Sequence, residues 1–348
     1  MTPDPVKSEE TMRRVTAMVG LFVGVSIIML GSPLAAQSQA PKAQGSKAAA
    51  RKAYTPPRTP WGDPDLSGVY TNNDESGIPL ERPNQFEGKK LEDVSESELD
   101  QLRAQREEQR VAVAPNLGGI PGTNPVHWFE NFGAKNSRAW LLVDPLDGRV
   151  PPLTDQARQR PVVRGGSSFG GGPFNSTDDF SLYDRCITRG VPGSMMPAIY
   201  GNAYQIVQGS GFVAIRYEMI HEARVIPLDG RSHVGRDVRL DMGDARGHFE
   251  GDTLVVETTN FQQRSAYRNA NAAAFKLIER FRPVAPDLLE WSVTIDDATT
   301  WTRPWTFAMN LTKGGPDKQP FEYACHEGNY GMQNMLSAAR KAERTDNK

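Results

Sequence analysis

The stretch 275–296, FKLIERFRPVAPDLLEWSVTID, decides the fold. Apolar and polar residues alternate through both of its halves, and the successive side chains of a strand point to opposite faces. The residues that share the apolar face are Phe275, Leu277, Glu279, Phe281, Leu289, Trp291, Val293 and Ile295. The pattern predicts two antiparallel strands joined by a turn at VAPD, with the carboxyl group of Glu279 on the buried face.

The same alternation extends to both sides of this hairpin. The segment 203–218, AYQIVQGSGFVAIRYE, predicts a second hairpin with Gly-Ser-Gly at its tip, and RPWTFAMNL at 303–311 places Trp305 and Phe307 on one apolar face. Further turn signals in VIPLDGRSH and FEGDTLVV have the spacing typical of antiparallel barrels and sandwiches. We therefore predict a mainly β protein, with the antiparallel barrel or sandwich in residues 203–345.

Two helices are predicted outside the strands. In SESELDQLRAQREEQR, Ser95 and Glu98 form a capping box, and the high charge of the segment places this helix on the surface. Near the C-terminus, one helical stripe carries Met332, Met335, Leu336 and Ala339, which predicts a helix packed on the barrel. Residues 61–202 otherwise predict an irregular region packed on the barrel.

The N-terminus has the pattern of an export signal. Arg13 and Arg14 precede a mostly apolar run from Val15 to Leu30, and the small residues of SPLAAQSQA follow it. We predict cleavage after Ala36, a flexible linker over residues 37–60, and a periplasmic or secreted protein with no membrane span after cleavage. The alternative is an uncleaved anchor, although the segment is short for a span of roughly 20 residues.

Charge and cysteine content narrow the partners and the compartment. Residues 1–36 contain as many basic as acidic residues, so cleavage leaves the chain near its formal net charge of −2, which indicates no nucleic-acid partner. Cys186 and Cys325 are the two cysteines, and in an oxidising compartment such a pair predicts a disulfide. Two buried free thiols are the alternative.

The chain has five histidines, and the alternation of side chains along a strand places one of them on a predicted apolar face. If FVAIRYEMIHEARVI at 212–226 is a single strand, Tyr217 and His221 lie on its apolar face and Arg224 lies on the opposite, outer face. A histidine and the carboxylate of Glu279 inside an apolar interior suit acid–base chemistry, because burial shifts their pKa values. The alternative is a satisfied core pair that holds strands in register.

Other polar and aromatic residues are secondary candidates. In GHFEGD, Phe249 suits the interior, so His248 and Glu250 are predicted at the outer corner of a hairpin. The residues predicted to line the rim of the cavity or to bind substrate are His127, His326, Trp291 and Trp305. His127 suggests a lid over the cavity, and His326 has capping of the last helix as its alternative role.

Metal and cofactor motifs are missing from the sequence. There is no HExxH, no paired CxxC and no GxSxG elbow. We predict no metal and no cofactor, while a site built from His221, His248 and scattered carboxylates stays open. The oligomeric state is left open as well.

Several motifs together resemble a large group of exported bacterial proteins of uncharacterised function. They are PDLSGVYTNN, LERPNQF, LLVDPLDGRVPPLT, EMIHEARVIPLDGR, MGDARGHFEGDTLVVETTNF, TWTRPWT and YACHEGNYGMQNMLSAAR, spread over most of residues 60–340. Phe249 stands where group members often have Trp. The group occurs often in bacteria that consume aromatic compounds, and the resemblance implies no catalytic residues.

A looser similarity concerns the fold. PDLSGVY is similar to the opening strand of lipocalin-like barrels, with Tyr70 in the place of a Trp. Phenolic acid decarboxylases are barrels of this kind, and they use Tyr, Arg and Glu side chains without a cofactor. Similarity of fold does not establish function, but it shows that a metal-free barrel can carry out a lyase reaction.

We therefore expect an exported, cofactor-independent lyase of the decarboxylase or dehydratase type. Its substrate would be a small aromatic or apolar compound, such as a lignin-derived phenolic, within the catabolism of aromatic compounds. In this hypothesis His221 is the acid or base, Glu279 orients it or shares its proton, and Tyr217 donates a hydrogen bond to the substrate. The alternatives are a non-catalytic lipocalin-like carrier of hydrophobic ligands and a cell-surface structural domain with a filled interior.

Overall fold

The computed structural model describes residues 54–118, 129–162, 174–315 and 319–346. It contains ten strands, all in one sheet. The strands are β1 (Gly68–Thr71), β2 (Leu142–Asp144), β3 (Ala203–Gly209), β4 (Phe212–Tyr217), β5 (Ala223–Pro227), β6 (Asp244–Glu250), β7 (Thr253–Thr259), β8 (Lys276–Ala285), β9 (Leu288–Asp296) and β10 (Trp305–Lys313). The prediction of a mainly β, antiparallel protein is confirmed.

Nine strands form a nearly closed antiparallel barrel in the order β5-β4-β3-β1-β10-β9-β8-β7-β6, and β2 pairs with β10 outside this path. The quoted stretch forms β8 and β9, in which Glu279 is opposite Val293 and Phe281 is opposite Trp291. The face predicted to be apolar is buried throughout. The inward side chains of β8, β9 and β10 therefore make the centre of the core.

The barrel closes where its terminal strands β5 and β6 approach each other. A Cβ atom on Gly247 of β6 would lie 2.8 Å from both Ile226 Cγ2 and Leu228 Cδ2. Within the described residues no ladder of backbone hydrogen bonds joins β5 to β6. Side-chain packing across this seam, which we call the β5–β6 seam, therefore replaces the missing ladder.

The part of the chain before residue 203 supplies two strands of the sheet. β1 lies between β3 and β10, with Tyr70 opposite Tyr204 on one side and Lys313 on the other. The end of the predicted linker is also packed on the protein, since Pro56 and Thr59 are buried. The barrel therefore includes strands from outside the predicted segment 203–345.

Three α-helices accompany the sheet: α1 (Glu96–Gly118), α2 (Asp155–Gln159) and α3 (Tyr330–Asp346). The predicted capping box is present, because the Ser95 backbone N–H donates to Glu98 Oε2 at 3.0 Å and the Glu98 N–H donates to Ser95 Oγ at 3.3 Å. On α3, all four residues of the predicted stripe are half-buried. Arg340 of this helix donates to the Phe174 carbonyl, so its contacts include the segment that precedes β3.

Cys186 and Cys325 form the predicted disulfide, with their Cα atoms 5.8 Å apart and a sequence separation of 139 residues. The bond attaches the C-terminal segment to the connection that precedes β3. A disulfide is typical of an oxidising compartment outside the cytoplasm. Among the residues that the structure describes, no helix has the length and apolar character needed to cross a membrane.

The segment 212–226 is two strands rather than the single strand that was predicted. β4 ends at Tyr217, a short 3-10 turn follows at Met219–His221, and β5 begins at Ala223. Ile220 and His221 have positive φ angles of 66° and 44°. This turn resets the alternation, so the parity prediction holds up to Tyr217 and is reversed in β5.

Candidate functional site

Glu279 lies inside the barrel as predicted, but its partner is Arg224. Arg224 Nη1 and Nη2 donate to the two carboxylate oxygens of Glu279 at 2.6 and 2.7 Å, and Trp291 Nε1 donates to Oε1 at 3.1 Å. Because β5 and β8 are not neighbours in the sheet, this ion pair crosses the barrel interior. The prediction that Arg224 faces outward is wrong, since the turn before β5 reverses its side-chain alternation.

His221 lies on the surface, so the prediction of an inward-facing imidazole is wrong. Its ring Nδ1 donates to the Tyr323 carbonyl at 3.0 Å, and its side chain is exposed. The physical reason is the positive φ of Ile220 and His221, which ends the β-strand before the imidazole is reached. The hydrogen bonds that Glu279 makes run to Arg224 and Trp291, not to His221.

Tyr217 belongs to the same interior cluster as Glu279. Its side chain is fully buried, and burial, opposed by the charge of Arg224, raises the pKa of its hydroxyl. The Tyr217 hydroxyl and Arg224 Nε have no hydrogen-bond partner of good geometry among the described residues. Arg224 nevertheless interacts with the Tyr217 hydroxyl, and all side chains of the cluster are closed off from solvent.

The other predicted candidates are scattered. Trp291 and Trp305 are fully buried in the core rather than placed at a rim. His326 is exposed in the turn that precedes α3, and His127 lies outside the described residues. His248 and Glu250 are both exposed at the end of β6, and Glu250 accepts hydrogen bonds from His248 and from Arg280 on β8. The prediction of a hairpin corner there is confirmed.

A large accessible cavity among the described residues lies outside the barrel interior, and we call it the arginine pocket. It has a volume of about 990 Å³. Its walls are residues 153–162, which include α2, residues 182–196 before β3, and residues 263–269 between β7 and β8, with Thr300 at one edge. All of these segments are connections or short helices, so the barrel serves as the support on which the pocket is built.

Five arginines and no acidic residue are among the described residues that line the arginine pocket. The arginines are Arg158, Arg160, Arg189, Arg264 and Arg268. Arg158 pairs with Asp155, and Arg264 pairs with Asp241 through hydrogen bonds of 2.9 and 2.6 Å. Two carboxylates that do not line the pocket therefore neutralise part of its positive charge.

The remaining three arginines keep an unneutralised charge. Arg160 Nη1 donates to the Asn269 carbonyl and to Thr300 Oγ1, both at 2.9 Å, while its buried Nη2 has no partner among the described residues. Among the described residues, Arg189 lies over the Tyr183 ring and Arg268 interacts with the Tyr267 hydroxyl, and neither forms an ion pair with a carboxylate. The arginine pocket is therefore electropositive and contains unused hydrogen-bond donors.

The apolar part of the pocket wall combines aliphatic side chains with the rings of Tyr183 and Tyr267. The guanidinium carbon of Arg189 lies 5.3 Å from the centre of the Tyr183 ring, and burial raises the pKa of the Tyr183 hydroxyl to about 12. The Tyr267 ring lies 6.4 Å from Trp305, so the predicted substrate-binding tryptophan is directly behind the wall. The pocket thus combines cations with flat apolar surfaces.

Reasoning from the sequence did not find the arginine pocket. Its arginines come from three segments that are distant along the chain, and none belongs to a motif with a fixed spacing. A weak signal was available in QQRSAYRNAN at 262–271, where two arginines and a tyrosine stand in a turn-rich segment with no acidic residue. Only the folded chain brings this segment next to Arg160 and Arg189.

No group of three or more His, Cys, Asp or Glu side chains within the described ranges has the arrangement of a metal site. Comparisons with protein-family models, with curated proteins and with solved structures found no match for this chain. The sheet topology places the chain in the broad class of antiparallel β-barrel proteins.

Proposed function

We propose that the protein binds a small organic anion with an aromatic or apolar body in the arginine pocket. The observation that carries this proposal is that Arg189 and Arg268, which contact tyrosines and have no carboxylate partner among the described residues, lie on the wall of a cavity of about 990 Å³. Cavities of roughly 300–1,000 Å³ are typical of sites for small molecules.

The chemistry of the wall indicates the ligand class. Arginine binds carboxylates and other planar oxyanions through paired hydrogen bonds, and its charge does not titrate under ordinary conditions. Tyr183 and Tyr267 offer ring surfaces that suit an aromatic body. An aromatic carboxylate satisfies both requirements, and a phenolic acid is one example.

The carrier hypothesis fits the pocket better than catalysis does. Asp155 and Asp241, the carboxylates nearest its arginines, are engaged in ion pairs with them, and the described lining residues include no histidine, aspartate or glutamate. The predicted dyad of His221 and Glu279 does not form, which removes the arrangement on which the lyase hypothesis depended. Binding and delivery of the anion is therefore the function that we put first.

A lyase is the second candidate, supported by one observation. Tyr217, Arg224 and Glu279 converge inside the barrel, where Arg224 binds the Glu279 carboxylate and interacts with the Tyr217 hydroxyl. These residue types support proton transfer in a dry interior. For turnover, a substrate would have to reach side chains that are at most 6% exposed, which requires the barrel to open.

Export to the periplasm or the medium belongs to the same proposal. It is supported by the sequence pattern at residues 12–40 and by the disulfide between Cys186 and Cys325. Membership in the group of exported bacterial proteins rests on the quoted motifs. A carrier of organic anions outside the cytoplasm would collect its ligand before uptake into the cell.

The proposal is tested by calorimetric titration of the purified protein with cinnamate and with uncharged cinnamamide. We expect cinnamate to bind and cinnamamide to bind at least about tenfold more weakly, because a hydrogen bond to a charged group contributes about 1.5–3 kcal/mol. Arg189→Gln and Arg268→Gln should each weaken cinnamate binding by a similar factor. Arg280→Gln is the matched control, since Arg280 is an exposed arginine on β8 that pairs with Glu250.

Equal affinity for cinnamate and cinnamamide, or equal loss in all three variants, would refute the arginine pocket as the binding site. The same samples distinguish the second candidate when 4-hydroxycinnamate is followed by NMR. Turnover that is lost in Glu279→Gln but kept in Arg189→Gln would favour the lyase. Binding without any product favours the carrier.

A further inference from the structure

One half-buried carboxylate, that of Glu222, lies immediately behind the wall of the arginine pocket. Glu222 follows the exposed His221, and its side chain turns inward so that Oε2 accepts a hydrogen bond from Thr188 Oγ1 at 2.6 Å. Thr188 is one of the lining residues, and its Oγ1 also accepts from the Gly190 N–H at 2.8 Å. Glu222 is thus one hydrogen bond away from a pocket with unneutralised cations.

The charged groups around Glu222 have opposing effects. Burial raises the pKa of the Glu222 carboxyl to about 6, the Thr188 hydrogen bond and the charge of Arg224 lower it, and the charge of Asp241 raises it. Asp241 is in turn paired with Arg264 of the pocket wall. The side chain therefore gains or loses a proton in the range of pH in which an exported protein works.

We propose that Glu222 couples anion binding in the arginine pocket to the uptake of one proton. The inference rests on the proposed function, because it concerns the regulation of the same site. An ionised Glu222 holds a negative charge behind Thr188 and opposes a second negative charge in the pocket. Protonation of Glu222 removes this repulsion, and the carboxyl group keeps its hydrogen bond by donating to Thr188 Oγ1.

The sign of the coupling follows from linkage. A bound anion favours the protonated form of Glu222, so its pKa is higher in the complex than in the free protein. Affinity is therefore greatest below pH 6, falls as pH rises through the two pKa values, and is constant above them. We expect a fall of about tenfold, which is in the usual range of coupling between two sites. The ligand would be taken up under mildly acidic conditions and released near neutrality.

Benzenesulfonate is the probe, because it stays fully ionised across the whole range and any pH dependence belongs to the protein. Calorimetric titrations at about pH 5 and about pH 8 bracket the titration of a carboxyl group of this kind. Wild type should bind about tenfold more tightly at the lower pH. Glu222→Gln should bind with the high affinity at both, because a glutamine side chain cannot ionise and still hydrogen-bonds to Thr188.

Glu250→Gln is the matched control, since Glu250 is an exposed carboxylate at the far end of β6, paired with Arg280. It should keep the wild-type dependence on pH. A second measurement needs no variant: titration of wild type near pH 6 in two buffers of different ionisation enthalpy should reveal net proton uptake on binding.

The outcomes separate the two proposals. Binding with the same dependence on pH in wild type and in Glu222→Gln, or binding without proton uptake, overturns the role of Glu222 and leaves the arginine pocket intact. Failure of wild type to bind benzenesulfonate at either pH overturns the pocket, and the coupling with it.

Discussion

Arg224 and Glu279 form an ion pair that is almost completely removed from water. Arg224 is 6% exposed and Glu279 is 0% exposed, and Trp291 supplies a further hydrogen bond to the carboxylate. Removing two charges from water costs several kcal/mol for each ion, and their attraction compensates only when the geometry is good. The ion pair therefore adds little to the free energy of unfolding. Removal of one partner, however, leaves an uncompensated buried charge and destabilises the protein.

We predict that Glu279→Leu destabilises the protein by about 3–5 kcal/mol, because it leaves Arg224 charged and unpaired in the core. Arg224→Met should cost a similar amount for the converse reason. The double variant should recover most of this loss, since apolar side chains of similar volume replace both charges. Urea unfolding followed by tryptophan fluorescence measures all three free energies of unfolding.

Two outcomes would contradict this prediction. If the double variant is as unstable as the sum of the single variants, the two side chains do not act as a pair. If the single variants are as stable as wild type, the interior of the barrel admits water. Arg282→Met serves as the control, because Arg282 makes an exposed ion pair with Glu290 on the outer face.

The alternation of apolar and polar residues predicted the inward-facing side chains of β8, β9 and β10 because these strands are regular and pair along their length. It placed His221 wrongly because EMIH contains no Gly, Pro, Asn or Asp to mark a turn, yet Ile220 and His221 adopt positive φ angles. A β-branched residue such as Ile220 rarely takes such a conformation. The tertiary structure imposes the turn, and for this reason Arg224 rather than His221 meets Glu279.

β5 and β6 are the two terminal strands of the barrel. Antiparallel sheets avoid exposed edges by closing, but here the closure lacks a hydrogen-bonded ladder within the described residues. Ile226 of β5 packs against Gly247 of β6, where a side chain would find no room. The glycine is therefore required for the close approach of two strands and not for an unusual backbone angle.

We predict that Gly247→Ala destabilises the protein by about 1–3 kcal/mol, because the new methyl group would overpack the β5–β6 seam. Ile226 Cγ2 lies 2.8 Å from the position that the methyl carbon would take, and it can move away only by a change of the χ1 rotamer in a packed core or by a shift of the strand. Thermal and urea unfolding measure the effect.

Gly235→Ala is the matched control, since nothing lies within 4 Å of the position where its Cβ would be. It should change the free energy of unfolding by no more than about 0.5 kcal/mol, as is usual for exposed sites. A Gly247→Ala variant as stable as this control would show that the terminal strands do not pack closely in solution.

The described part of the protein consists of a barrel whose interior is filled and a pocket made by the connections around it. The strands were predictable because alternation is a local property of the sequence. The arginine pocket was not, because Arg160, Arg189 and Arg268 are brought together only when three connections fold onto the barrel. The disulfide stabilises this arrangement by attaching the segment that contains Arg189 to residues 319–346.

Stability should therefore be unequal around the barrel, and we predict a defined order of amide hydrogen exchange. β9 is paired on both sides along its whole length, whereas β5 and β6 are each paired on one side within the described residues. Amides open by local fluctuations where hydrogen bonds and packing are few. Exchange measured by mass spectrometry should be fastest in peptides from β5 and β6 and slowest in those from β9. Equal protection of β5 and β9 would mean that the seam is closed by hydrogen bonds in solution, and a barrel closed in that way could not open to admit a substrate to Tyr217 and Glu279.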